Sequence, residues 1–79
     1  MYQKWKVNDV YQNARISGMY ASINSIIKYD GYGTDLNITW WLLDTNGKFK
    51  KLHTEDAYIP NEDYDEWILL GDFSPKENA

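Results

Sequence analysis

The fold is decided by the stretch LNITWWLL at residues 36–43, with DTNG at 44–47 and KFKKL at 48–52 after it. The first segment is rich in β-branched and aromatic residues, which suit the pleated surface of a strand. Asn46-Gly47 is a dipeptide that tight hairpin turns favour, because both residues tolerate positive φ. We therefore predict a β-hairpin over residues 36–52.

Strand alternation divides the first arm of this hairpin into two faces. One face carries an unbroken apolar series, which we expect to face the core: Leu36, Ile38, Trp40 and Leu42. Trp41 and Leu43 lie on the other face among polar residues. This second face predicts either another packing layer or an exposed binding surface.

The chain of 79 residues is short enough for one domain, which we place at residues 1–74, with a flexible tail at 75–79. It has no cysteine, so disulfides and thiolate chemistry are excluded. Four Trp, seven Tyr and two Phe supply the core volume of so small a protein. We see no signal peptide and no apolar run that could span a bilayer, and expect a cytoplasmic protein without a membrane partner.

Charge is divided unevenly along the chain. Residues 1–51 hold seven Lys/Arg and four Asp/Glu, whereas residues 52–79 hold one Lys and eight Asp/Glu, which together give the net charge of −4. An acidic half disfavours nucleic-acid phosphate as its partner and favours a basic protein surface, although it can also serve solubility alone.

Residues 16–29 are ambiguous, because their apolar residues fit a helical stripe as well as the alternation of a strand. Ser17, Gly18, Ser22 and Asn24 are poor residues for a helix interior, and this favours the strand. We predict five strands at about 3–11, 18–29, 36–43, 48–52 and 66–70, with an acidic loop over His53–Asp65. The alternative is an α+β fold with a helix over about residues 9–28.

Trp5 and Val7 with the Asn8-Asp9 step resemble the first strand of SH3-like barrels, although Asn8 stands where those barrels have a glycine. Strand number and length extend the resemblance to the Tudor or KOW type and imply a five-stranded antiparallel all-β barrel. Separately, the abundance of Asn, Ile, Lys and Tyr resembles the composition of small phage or mobile-element proteins of Gram-positive bacteria.

Few residues point to catalysis or to a metal. His53 is the only histidine, and without cysteine it supports no nucleophilic constellation. Asp44–Lys48 has only part of the spacing of a calcium loop, so we interpret it as the hairpin turn. Gly31-Tyr32-Gly33 lacks the third glycine and the helix of a phosphate-binding loop. We therefore expect no enzyme activity, no metal and no cofactor.

Aromatic residues beside acids are the strongest indication of function. In SH3-like domains exposed aromatics between the loops form the ligand groove, and acids beside them suit a cationic ligand. This predicts a protein-binding surface, with acids standing in for phosphate: Tyr32, Trp41, Glu55, Asp56, Tyr58, Glu62, Asp63, Tyr64, Asp65 and Glu66. The same rings could instead cover the core rim or a homodimer interface.

The partner expected for this surface is a host defence protein with a basic site that handles nucleic acid. A phage-encoded inhibitor would block that site. One alternative is an oligomer that sequesters a nucleotide or another small ligand between stacked aromatics and lysines. Another is a nucleic-acid-binding barrel that uses Trp41 with lysines on two strands that could be adjacent: Lys4, Lys6, Lys48, Lys50 and Lys51.

Overall fold

A computed structural model describes residues 4–71 as one antiparallel sheet of five strands in the order β4-β3-β2-β1-β5. The strands are β1 (Val10–Asn13), β2 (Met19–Tyr29), β3 (Gly33–Leu43), β4 (Phe49–Pro60) and β5 (Trp67–Gly71). A 3₁₀ helix, Asn61–Glu66, joins β4 to β5. The all-β prediction is therefore confirmed, and the helix over residues 9–28 is wrong, because β1 and β2 occupy that stretch.

The sheet is compatible with a small SH3-like barrel, but it is not closed. Strands β4 and β5 form its two edges, and within residues 4–71 they do not pair with each other. The predicted domain end at residue 74 and the tail at 75–79 lie outside the described residues. No helix within the described range 4–71 has the length and apolar character needed to cross a membrane.

The predicted hairpin forms between β3 and β4, but its turn differs from the expected one. Only Gly47 adopts a positive φ, 79°, and Asn46 does not. The Asp44 carboxylate accepts hydrogen bonds from the backbone N–H groups of Asn46 and Lys48, both at 2.9 Å. This side chain stabilises a three-residue loop, in which one residue with positive φ is sufficient.

Strand β4 continues to Pro60, so the predicted loop over His53–Asp65 is wrong for its first half. Its acidic residues are compatible with a strand, because β4 is an edge strand and most of its side chains face solvent. Pro60 ends the strand, where a missing N–H is tolerated. The first strand is shorter than predicted, because Asn8, with φ 73°, forms a turn before β1.

Trp5 is the centre of the core and is 2% exposed. Its ring lies 4.7 Å from that of Tyr11, 5.4 Å from that of Tyr64 and 6.0 Å from that of Trp67, centroid to centroid. The other buried members of this cluster come from β2, β3 and the end of β4: Ala21, Ile23, Leu36, Ile38 and Ile59. Four aromatic rings thus fill the core, and the N-terminal segment contributes the central one, Trp5.

The two adjacent tryptophans of β3 lie on opposite faces of the sheet. Trp40 packs at the rim of the core against Trp67, as its face predicted, whereas Leu42 on the same face is 37% exposed. Trp41 is 8% exposed on the outer face, where its indole N–H donates to Ser22 Oγ at 3.0 Å. The outer face is therefore a second packing layer at Trp41.

Candidate binding surface

The β2–β3 loop is held in place by the carboxylate of Asp30. One oxygen accepts hydrogen bonds from the backbone N–H groups of Tyr32 at 2.8 Å and Gly33 at 2.9 Å. Asn61 at the start of the 3₁₀ helix holds the same loop, because its backbone N–H donates to the Tyr32 carbonyl and its amide to the Gly31 carbonyl. The loop is therefore anchored on both sides.

Tyr58 of β4 lies against this loop. Its hydroxyl is 3.2 Å from both carboxylate oxygens of Asp30. Its ring covers Gly33, where an added Cβ would come within 2.5 Å of the ring carbon Cζ. Tyr58 is nevertheless 46% exposed, and Tyr32 at the tip of the loop is 79% exposed. Two tyrosine rings are thus presented to solvent on a hydrogen-bonded support.

Two further carboxylates extend this site along the outer face. Asp35 pairs with Tyr58 across β3 and β4, and Asp56 lies two residues before Tyr58, on the same side of β4. Asp56 accepts a hydrogen bond from the side-chain amide of Asn37 at 2.8 Å. We call Asp30, Tyr32, Asp35, Asp56 and Tyr58 the tyrosine–acid patch.

The Asp30 carboxylate holds its negative charge firmly. Backbone hydrogen bonding, first from the Tyr32 N–H, lowers the pKa of Asp30 below its ordinary value, with support from Tyr58 and Lys28. The pKa of Tyr58 is raised, first by desolvation and then by its hydrogen bond to Asp30. The Tyr58 hydroxyl therefore stays protonated as a donor, while the carboxylate stays ionised.

The predicted binding residues do not all meet. Tyr32, Asp56 and Tyr58 belong to the patch, whereas Glu55 points to the other side of β4 and accepts the Trp40 indole N–H at 2.6 Å. The remainder of the set lies elsewhere: Trp41 in the outer packing layer, and Glu62, Asp63, Tyr64, Asp65 and Glu66 in the 3₁₀ helix.

Two residues of the 3₁₀ helix have structural contacts. Tyr64 is buried, and its hydroxyl is 3.0 Å from Thr34 Oγ1, so its ring contributes to the core rather than to an exposed surface. Glu66 pairs with Arg15, with 2.6 Å between Oε2 and a guanidinium nitrogen. Glu62 and Asp65 are exposed and remain available to a partner.

Sequence reasoning missed Asp30 and Asp35. An Asp followed at two and three residues by backbone N–H groups of a glycine-rich loop is the signal of an Asx turn, and Asp30-Gly31-Tyr32-Gly33 has it. Asp35 carried no local signal. Its place in the patch depends on the pairing of β3 with β4.

The lysines expected on adjacent strands are separated. Lys50 and Lys51 lie on β4, and Lys48 precedes it, whereas Lys4 and Lys6 lie in the segment before β1. Strands β2 and β3 stand between β4 and β1 in the sheet. The expectation that these strands could be adjacent is wrong, because β1 pairs with β2 and β5 instead.

Nothing in the described part of the chain forms a group of three metal-ligating side chains. His53 is exposed on β4, and its Nε2 lies 3.7 Å from a carboxylate oxygen of Glu55. The surface therefore offers rings, carboxylates and hydrogen-bond acceptors, which suit recognition of cationic groups.

No protein-family model matches the chain, and searches of curated proteins and of solved structures find no significant match.

Proposed function

We propose that this protein is a non-enzymatic binding domain whose tyrosine–acid patch receives basic side chains of a protein partner. The observation that carries the proposal is the exposure of Tyr32 and Tyr58 beside the ionised carboxylate of Asp30. Exposed aromatic rings next to carboxylates attract arginine and lysine through both cation–π contact and charge.

The hydrogen bonds that hold the β2–β3 loop under the patch favour the same function. The hydrogen bonds that Asn61 donates, and those that the Asp30 carboxylate accepts, fix the loop before any partner arrives, so little conformational entropy remains to be lost on binding. Tyrosine is also among the residues that most often dominate binding energy, whereas the acids steer the approach of a basic surface.

The biological role that we propose is more specific than protein binding. Resemblance of the sheet to SH3-like barrels, and of the composition to phage proteins, supports an inhibitor that occupies a basic, nucleic-acid-handling site of a host defence protein in the cytoplasm. Carboxylates of the patch would take the places of phosphates there.

A short arginine-rich synthetic peptide tests the patch directly. Titrated into the isotope-labelled protein, it should shift the backbone amide signals of residues 30–35 and 56–58 in NMR spectra. Tyr32→Ala should weaken binding about tenfold, as expected when an aromatic anchor is removed. Asp56→Asn should weaken it about twofold to fivefold, the range for one exposed charge pair.

Asp44→Asn is the matched control, because it removes one carboxylate at the opposite end of β3 and can keep its turn hydrogen bonds. Equal weakening by Asp44→Asn and Asp56→Asn would show only general attraction between peptide and protein, and would refute the patch. The same variants can then be used to rank partners recovered from a bacterial lysate.

The second candidate is a homodimer through β5. This edge strand has no charged residue, and three consecutive apolar side chains on it are exposed, namely Ile68 at 48%, Leu69 at 53% and Leu70 at 43%. Uncharged edges favour pairing with another strand. Ile68→Lys should make such a dimer monomeric in analytical ultracentrifugation, and a wild-type monomer at all concentrations would exclude it.

A further inference from the structure

A pocket of about 640 Å³ opens where the N-terminal segment crosses β1 and β5, away from the tyrosine–acid patch. Its volume is within the range of small-molecule sites, about 300–1,000 Å³. Apolar and aromatic side chains form one part of its wall and charged groups the other: Tyr11, Trp67 and Leu69, with Lys4, Lys6 and Asp9.

Lys4 is a fixed cation on this wall. Its ammonium donates to the backbone carbonyls of Tyr64 and of Trp67, the latter at 2.7 Å. It also lies 5.3 to 5.7 Å from the centroids of the Trp5, Tyr11 and Tyr64 rings. Lys6 is exposed at the rim of the pocket, so two positive charges face one cavity.

Asp9 is a buried carboxylate with few donors. It is 4% exposed, and within residues 4–71 its carboxylate receives only the Tyr11 hydroxyl, at 3.4 Å. That hydroxyl has a nearer acceptor in the Lys4 carbonyl, at 3.1 Å. A buried carboxylate is stabilised by N–H donors, and a ligand in the pocket could supply them.

We propose that the pocket binds a nucleoside monophosphate whose base presents N–H donors to Asp9. The base would lie against the apolar wall of Trp67 and Leu69, and its phosphate would face Lys6 at the rim. Guanine matches this wall best, because its adjacent ring and amino N–H groups can both reach one carboxylate. This inference is independent of the protein-binding function and uses none of its residues.

Calorimetry of the whole protein with guanosine 5′-monophosphate, guanosine and inorganic phosphate tests the assignment. Guanosine monophosphate should bind more tightly than either part alone. Lys6→Glu should weaken binding of the nucleotide about tenfold and leave guanosine unchanged, because only the phosphate faces Lys6. Asp9→Asn should weaken nucleotide and nucleoside alike, about tenfold, since it converts the carboxylate to a poorer acceptor.

Lys48→Glu is the control, because it makes the same charge change in the turn between β3 and β4, which β2 separates from the strands of the pocket. Absence of nucleotide binding at about 1 mM, equal weakening by Lys6→Glu and Lys48→Glu, or phosphate alone binding as well as the nucleotide would overturn the proposal. If Asp9→Asn does not fold, the two lysine variants decide the question by themselves.

Discussion

Within residues 4–71 a tyrosine hydroxyl lies beside an aspartate in two places, one inside and one on the surface. Tyr11 and Asp9 are both buried, with 3.4 Å between hydroxyl and carboxylate. Tyr58 and Asp30 are exposed, at 3.2 Å. At a buried pair few water molecules can replace a broken hydrogen bond, whereas at an exposed pair water replaces it readily. The inner pair should therefore matter for stability, and the outer pair for recognition.

The largest effect should come from removing the Trp5 ring, which packs against Tyr11 of the buried pair. Trp5→Ala leaves a cavity among Tyr11, Tyr64 and Trp67 and should lower the free energy of unfolding by about 3–5 kcal/mol. Urea denaturation measures this loss.

Two further variants give reference values for the loss of stability in Trp5→Ala. Trp40→Ala should cost less, because Trp40 is only half-buried at the rim. Tyr32→Ala on the surface should stay within about 0.5 kcal/mol of wild type. A Trp5→Ala loss as small as that of Tyr32→Ala would mean that the N-terminal segment does not belong to the core.

Gly33→Ala should disturb the exposed pair of Tyr58 and Asp30, because the Tyr58 ring lies directly over Gly33. The new Cβ would lie 2.5 Å from Tyr58 Cζ and 2.8 Å from the Ile59 carbonyl oxygen, both too close. The change should cost about 1–3 kcal/mol, the range for overpacking, and should weaken binding of the arginine-rich peptide. Adding Tyr58→Ala should recover part of the stability but not the binding, and full recovery would show that the carbonyl contact is unimportant.

A pair of phenylalanine substitutions compares the two hydroxyls directly. Tyr11→Phe takes a donor from the buried Asp9 and from the Lys4 carbonyl, and should cost about 1–2 kcal/mol. Tyr58→Phe should cost less, because water can replace its hydroxyl at Asp30. Urea midpoints of both variants test the order, and the reverse order would refute the contrast between interior and surface.

The smallest effect concerns the stability of the protein at low pH. Since the folded-state pKa of Asp30 is lowered below 3.8, chiefly by the Tyr32 backbone N–H, its contribution to stability is present above the unfolded-state pKa. That contribution is lost as pH falls below 3.8 and through the folded-state pKa. NMR titration of the carboxyl carbon should give a midpoint below 3.8. A midpoint at or above 3.8 would contradict the Asx-turn geometry, and Asp30→Asn should have a flatter acid profile than wild type.

Local pattern was sufficient for the strands that have a core face. Alternation predicted β3 except for its first three residues, composition favoured a strand at β2, and the Asp44–Lys48 turn was correctly placed. Alternation did not predict the second half of β4. This edge strand is exposed along most of its length, so apolar and polar residues do not alternate between His53 and Tyr58. Asp56 and Tyr58 were correctly chosen as surface residues but assigned to a loop.

The candidate sites were predictable only in part, because they join residues from distant parts of the chain. Tyr32 and Tyr58 could be selected as exposed aromatics, yet Asp35 meets Tyr58 only through the register of β3 with β4. The pocket required the N-terminal segment to pass over β1 and β5. No local pattern near Asp9 indicates that its carboxylate will be buried there.

The sequence by itself determined the all-β class and the β3–β4 hairpin, because these depend on alternation and on φ preferences of neighbouring residues. Tertiary structure decided which tyrosines became core and which became surface. Tyr11 and Tyr64 are buried around Trp5, whereas Tyr32 and Tyr58 are exposed. The ring is the same in each case, and its burial depends on which strands and segments pack over it.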